Sequence, residues 1–351
     1  MIMITEIIKI NREKPDHDAL KRAGEILLAG GLVAFPTETV YGLGGNALDP
    51  TASRRIYAAK GRPSDNPLIV HIADLEDLKV VAADIPDQAM LLAQAFWPGP
   101  LTMIFPRTDK VPLETTGGLS SVAVRFPSDT IAQELIRCGG GFVAAPSANT
   151  SGRPSPTTAE HVAEDLSGRI EMILDGGPVG IGLESTIIDF TEAVPTILRP
   201  GYISPAMLES ILGEVKIDPG LLKEDSHVRP KAPGMKYRHY APKAQMVIIE
   251  GEPEAVTAYI RQQAAQDVQN GLTPGIIASE ETIEGYDQGI LRCAGSRRHD
   301  ETIAHNLYRI LREFDDEKVD TIYSESFDTP HMGHAIMNRL IKAAGHQIIK
   351  V

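Results

Sequence analysis

The chain has 351 residues, 42% of them hydrophobic and 23% charged, and a net charge of −13. That length carries two domains with real cores, and that composition is ordinary for a soluble globular protein. The acid excess argues against a general nucleic-acid coat while allowing a local basic pocket. The two cysteines, Cys138 and Cys293, are far apart and have no CxxC partner, which fits reduced thiols in a cytosolic protein. No run approaches the ~18–20 apolar residues of a membrane span.

The opening MIMITEIIKINRE lacks a basic lead and a small-residue cleavage site, so it reads as a strand rather than a signal peptide. Residues 16–29 place Ala19, Leu20, Ala23, Ile26 and Leu27 at helical spacing, with Gly30-Gly31 as the stop. Residues 31–36 are a short apolar run closed by Pro36, which suits a buried strand ending in a turn. The small polar loop Thr37-Glu38-Thr39 follows, then Tyr41 and glycines 42, 44 and 45, whose backbone a ligand can approach. A helix over residues 51–59 ends in Lys60-Gly61-Arg62-Pro63, so two cations arrive at a sharp turn. Residues 67–72 read as a buried strand carrying His71. Helices over 74–81 and 86–96 are broken by Trp97-Pro98-Gly99-Pro100. Strand 101–106, a polar loop over 111–121 and strand 122–126, with Arg125 inside it, come next. A helix over 129–138 and a strand over 142–145 lead into Pro146–Ser155, a loop dense in hydroxyls with almost no acid. Beyond it lie a helix over 158–166, strands over 172–174, 187–190 and 196–199, and a helix over 204–212 with a Ser N-cap.

Composition changes after Leu212. Prolines and charges with little apolar periodicity mark a linker, and APGMKYRHYAP within it (232–242) is too aromatic and basic for an inert spacer. A second α/β unit follows, with strands over 246–250, 275–278 and 319–323 and helices over 252–266, 299–314 and 333–344. The alternation predicts a small parallel sheet. The domain reading is 1–215 for the first domain, 216–244 for the linker and 245–351 for the second.

The strongest chemical signal is Lys60-x-Arg62 together with Ser147-x-Asn149. A triphosphate calls for cations that also donate hydrogen bonds; Lys brings a point charge, Arg a fork, and Ser and Asn neutral donors. The alternative is a surface Lys and Arg at a helix C-terminus, favoured by its dipole. His71 ends an apolar strand and, taken alone, reads first as a satisfied core histidine. Arg125 inside VAVRF demands an anionic partner, either a ligand or an internal Asp or Glu. Ser185-Thr186 also reads as a strand-start turn, and Arg199 before Pro200-Gly201 as a solvent-exposed side chain. There is no GxGxxG and no GxxxxGK[ST], so the Rossmann and P-loop phosphate cradles are absent. His331-x-x-His334 has half of a zinc-like spacing and no further ligand nearby.

Seven blocks in one order, FPTETVYGLGGNA, KGRPSDNPLIVH, WPGPLT, VAVRFP, APSANTSGRPSPT, ESTIID and LRPG, resemble the YrdC-like family of L-threonylcarbamoyladenylate synthases over roughly residues 15–212. The linker motif followed by a C-terminal α/β domain resembles the long, two-domain branch. The resemblance implies a twisted open sheet around a large concave pocket, plus a smaller Rossmann-like α/β domain. It implies that L-threonine, bicarbonate and ATP give L-threonylcarbamoyladenylate, pyrophosphate and water, with Mg²⁺ accompanying the ATP. The product would feed the t⁶A modification of tRNA through a separate transferase complex, with weak or no direct tRNA binding and no membrane. By the same match, Lys60, Arg62, Ser64, Ser121, Ser147, Asn149, Ser155 and Arg199 would hold the nucleotide, with Lys60 and Arg62 carrying catalysis. Ser121 stands where many relatives have Thr and keeps the hydroxyl. Thr37, His71, Arg125 and Ser185 match positions that hold threonine. His239 and Tyr240 would close over the nucleotide as a lid that excludes water.

Two rival readings stand beside this one. A hydrogenase-maturation carbamoyltransferase would carry cysteine pairs that this chain lacks. A double-stranded RNA or tRNA binder of the same fold would show salt-sensitive RNA affinity and release no pyrophosphate.

Overall fold

The computed structural model describes residues 3–221 and 240–351, which divide into two compact units. In the first unit the elements run β1 (Glu6–Lys9), α1 (His17–Leu28), β2 (Val33–Phe35), β3 (Gly42–Asn46), α2 (Pro50–Lys60), β4 (Ile69–His71), α3 (Leu78–Val81), α4 (Asp87–Phe96) and β5 (Leu101–Pro106). They continue with β6 (Ser121–Arg125), α5 (Thr130–Cys138), β7 (Val143–Ala144), α6 (Ala159–Leu166), β8 (Met172–Asp175), β9 (Thr186–Asp189), β10 (Thr196–Arg199), α7 (Pro205–Leu212) and β11 (Lys216–Ile217). The strands form one mixed sheet of eleven in the order β1-β8-β2-β3-β7-β4-β6-β5-β9-β10-β11. The sheet runs past residue 215, because β11 pairs in parallel with β10.

Local sequence explains most of these boundaries. Asp16 caps α1 by accepting from the amides of Asp18 and Ala19. Helix α2 begins with Asp49 accepting from Thr51 N at 2.7 Å and Pro50 in the first turn. It stops at Gly61, whose φ of 62° lies in the left-handed region. Both sides of β2 are buried, as its unbroken VAF run predicts.

Three local readings differ from the structure. The glycine stretch is a strand, β3, between β2 and β7. Crowding requires a glycine at its centre: a Cβ on Gly44 would sit 2.9 Å from both the Phe35 ring and Val143 Cγ1. The helix read over 74–81 is a 3₁₀ turn, Leu75–Asp77, followed by the single turn of α3. Two strands of the second unit went unread, as described below.

The second unit groups residues 152–154 and 181–183 with the C-terminal α/β domain. Its elements are β12 (Gln245–Glu250), α8 (Pro253–Gln269), β13 (Pro274–Ser279), β14 (Ile290–Gly295), α9 (Asp300–Glu317), β15 (Thr321–Glu325), α10 (Gly333–Ala343) and β16 (Ile348–Lys350). All five strands are parallel, in the order β14-β13-β15-β12-β16. The unread strands β14 and β16 are the two edges. β14 is half-buried for most of its length and β16 is exposed throughout, so neither shows the apolar run of a central strand. Helix α9 buries Ile303, Leu307, Ile310 and Leu311, the face expected from its spacing. Among the described residues no helix is long and apolar enough to cross a membrane.

Candidate active site

Strand register builds one half of the site. β4 runs parallel to β6 and places His71 opposite Arg125. β5 runs antiparallel to β6 and places Thr102 opposite Arg125 on its other side. In-register neighbours point to the same face, so His71, Arg125 and Thr102 form a row. Ser185, just before β9, extends it: its hydroxyl lies 2.8 Å from Thr102 Oγ1. Arg199, from β10, extends it further by donating from Nε to Ser185 O and from NH2 to Ser185 Oγ, both at 3.0 Å. Arg199 is buried, so the solvent-exposed reading of this residue fails. On the same face, two residues along β4, β6 and β5, lie Ile69, Ala123 and Ile104, which with Ile187 and Leu198 make a small separate apolar cluster.

The row is electrostatically specific. Burial, reinforced by the Arg125 charge, pushes His71 down to about 3, so its imidazole is neutral at physiological pH. His71 Nδ1 lies 3.2 Å from Ile69 O, and the ring meets Phe35 edge-on. Arg125 is paired with an internal acid: its NH2 lies 2.8 Å from Glu38 Oε1. Thr37 faces inward, but its hydroxyl donates to Val40 O at 2.7 Å and lies 2.9 Å from Thr39 Oγ1, so it braces the Glu38 loop.

The other half of the site is the end of α2 against the loop after β7. Lys60 is buried, and its Nζ donates to Ser147 O and Asn149 O, each at 2.5 Å, with Asn149 Oδ1 at 3.3 Å. Ser147 Oγ donates to Asn149 Oδ1 at 2.6 Å. These charge-assisted bonds lock the two cationic and hydroxyl motifs into one unit. Arg62 is held by the carbonyls of Asn66 and Pro67 at 3.3 and 3.1 Å. The surface-cation alternative for Lys60 and Arg62 therefore fails on burial. Ala145 N donates to Ile69 O, which ties this loop to β4. From that anchor at Ile69, β4 runs about 7 Å along the strand to His71 in the row.

Other predicted residues sit differently. Ser155 is buried and donates to Glu184 Oε1 at 2.5 Å, so its hydroxyl has an internal acceptor. Ser64 is exposed beyond Arg62. Ser121 lies at the far end of β6 from Arg125, paired with Pro106. Tyr240 belongs to the second unit, where it stacks on Tyr308 with ring centroids 5.1 Å apart. His239 lies outside the described residues. Glu38, Thr102 and Glu184 escaped the sequence reading. Glu38 had one available signal, because buried Arg125 called for an acid, but nothing local tied the two together.

The family model described as "Telomere recombination", covering Sua5, YciO and YrdC, matches residues 25–201. A second model, described as "Threonylcarbamoyl-AMP synthase, C-terminal domain", matches residues 203–345. A threonylcarbamoyl-AMP synthase of Pyrococcus abyssi is 48% identical over 99% of this chain and 100% of its own length. One of Bacillus subtilis is 48% identical over 94% of both chains. The crystal structure of P. abyssi Sua5 complexed with L-threonine superposes with a TM-score of 0.94 at 47% identity, covering 99% of this chain and 100% of that one.

Proposed function

Because the chain belongs to the Sua5/YrdC family and carries both of its matched domains, we infer that it joins L-threonine, bicarbonate and ATP into L-threonylcarbamoyl-AMP, releasing pyrophosphate and water. The observation that carries this reading is the row His71–Arg125–Thr102–Ser185–Arg199 beside the locked Lys60–Ser147–Asn149 cluster.

The chemistry needs no protein nucleophile. The threonine nitrogen bonds to the bicarbonate carbon with loss of water. A carbamate oxygen then attacks the α-phosphorus, the bond to the β-phosphate breaks, and pyrophosphate leaves. Positioning and fixed positive charge are what the protein contributes. Arg125 takes the threonine carboxylate through its planar fork, which Lys would not reproduce. Ser185, with Thr37 and neutral His71, orients the rest of the amino acid. Ile69 and Ala123 give its methyl group an apolar wall, the feature that separates threonine from serine. Lys60 and Arg62 face the phosphates with Ser147 and Asn149, and Ser64, Ser121 and Ser155 complete the nucleotide side. Arg199 is on that side too, and its contact with Ser185 joins the two halves.

Magnesium is expected with ATP, yet among the described residues no three His, Cys, Asp or Glu side chains converge into a metal cage. The ion would come with the nucleotide's phosphates, as Mg²⁺ commonly does, and no step above depends on it. Two free cysteines support a cytoplasmic setting, where a separate tRNA transferase would consume the product.

Pyrophosphate release measured with threonine, serine or no amino acid, each with and without bicarbonate, tests the reading. Release that depends on both threonine and bicarbonate is the predicted outcome. Release with ATP alone overturns it.

A further inference from the structure

The contact between Arg125 and Glu38 is unusual for a buried ion pair. Both side chains are largely buried, at 5% and 14% exposure. The guanidinium NH2 comes within 2.8 Å of Glu38 Oε1, but off the hydrogen-bond axis. Arg125 Nε, Arg125 NH2 and both Glu38 carboxylate oxygens are shielded from solvent, and among the described residues none of these atoms makes a directed hydrogen bond. Buried charges are ordinarily both paired and hydrogen-bonded, and leaving those bonds unmade is costly. The backbone on either side of Glu38 is fixed by the Thr37–Thr39 hydroxyl contact and the Thr37 bond to Val40. The Glu38 carboxylate is the part of this loop that no such bond holds.

We propose that Glu38 is the ammonium-recognising group of the amino-acid subsite, acting by charge exchange with Arg125. The proposal rests on the threonine reading above. A substrate carboxylate that takes Arg125 displaces Glu38, and a buried carboxylate left alone would cancel the gain. An α-amino acid removes this penalty because it brings its own cation next to its carboxylate. The single pair Arg125–Glu38 becomes two, Arg125 with the ligand carboxylate and Glu38 with the ligand ammonium, and no net charge is buried. Across the row of His71, Arg125, Thr102, Ser185 and Arg199 no side chain is acidic, so Glu38 is the carboxylate already in contact with it. The consequence is selectivity. A 2-hydroxy acid of the same shape can claim Arg125 only by stranding Glu38, so the pair rejects carboxylates that lack an amine.

Calorimetric titration of the full chain with L-threonine and with 2,3-dihydroxybutanoate tests this, in the wild type, Glu38→Gln and Glu38→Asp. Thermal melting checks that the variants fold. The wild type is expected to prefer threonine strongly. In Glu38→Gln, threonine binding should weaken by about tenfold or more, the usual scale for losing one charged partner. The hydroxy acid should bind as well as before or tighter, so the selectivity collapses. Glu38→Asp should fall between, and it carries the test if the Gln variant does not fold. Equal weakening of both ligands, or no change for threonine, overturns the assignment and leaves the synthase reading standing. A wild type that binds no threonine overturns both.

Discussion

Replacing Lys60 with Ala removes the charge that bridges the end of α2 and the Ser147–Asn149 loop. Loss of one preorganised charge partner of a transition state costs on the order of 100-fold or more in kcat. Pyrophosphate release by Lys60→Ala should fall at least that far. The vacated carbonyls should also cost about 1–3 kcal/mol of stability, read as a lower denaturant midpoint. Arg62→Lys keeps the charge and loses the fork, so an intermediate rate is expected. His71 supplies a pH prediction. Its folded value is held near 3 against 6.5 in the unfolded chain. Between those values the unfolded chain binds the extra proton, so stability is full above about 6.5 and falls as the pH drops toward 3. The slope is about 1.4 kcal/mol per pH unit. Melting curves between pH 6.5 and 4 should therefore show a shallower acid loss in His71→Gln than in the wild type. A slope identical in both would show that His71 is not the buried neutral group described here.

Among the elements, β3 makes the sharpest case for packing over propensity. Gly44→Ala places a Cβ 2.9 Å from Phe35 and Val143, both in the core. Overpacking of this kind costs about 1–3 kcal/mol, and equilibrium denaturation should register it; an unchanged midpoint would mean the sheet yields there. The same strand shows what the sequence concealed. GLGG has no strand propensity, and its conformation is decided by β2 and β7 on either side. By contrast the apolar runs of β2, β4, β5 and β6, and the caps of α1 and α2, are written locally and were legible. His71, Arg125 and Ser185 could each be seen as candidates. The register that sets them in one row is non-local, because β4 meets β6 more than fifty residues later in the chain, and no period within either strand specifies it. For the same reason buried Arg125 announced an acidic partner without naming Glu38. The cationic end of α2 and the hydroxyl loop were visible as motifs, while their interlocking through Lys60 Nζ needed the fold.

Over the whole molecule, the family matches divide the chain near residues 201–203, and every residue of the row and of the Lys60 cluster lies in the first unit. Threonine affinity should therefore survive in a chain ended before Ala232. If the 232–242 segment shields the labile carbamate and mixed anhydride, the same truncation should lower the yield of adenylate. Undiminished yield would remove that segment from the reaction. The central claim is that one site brings a small amino acid, a one-carbon unit and the α-phosphate of ATP together. Its most direct measurement follows ¹⁴C-bicarbonate through a turnover with ATP and L-threonine. The account predicts that the label appears in a product that also carries AMP, in equal amount to the pyrophosphate released and only when threonine is present. Pyrophosphate formed without label in an AMP-bearing product would contradict it.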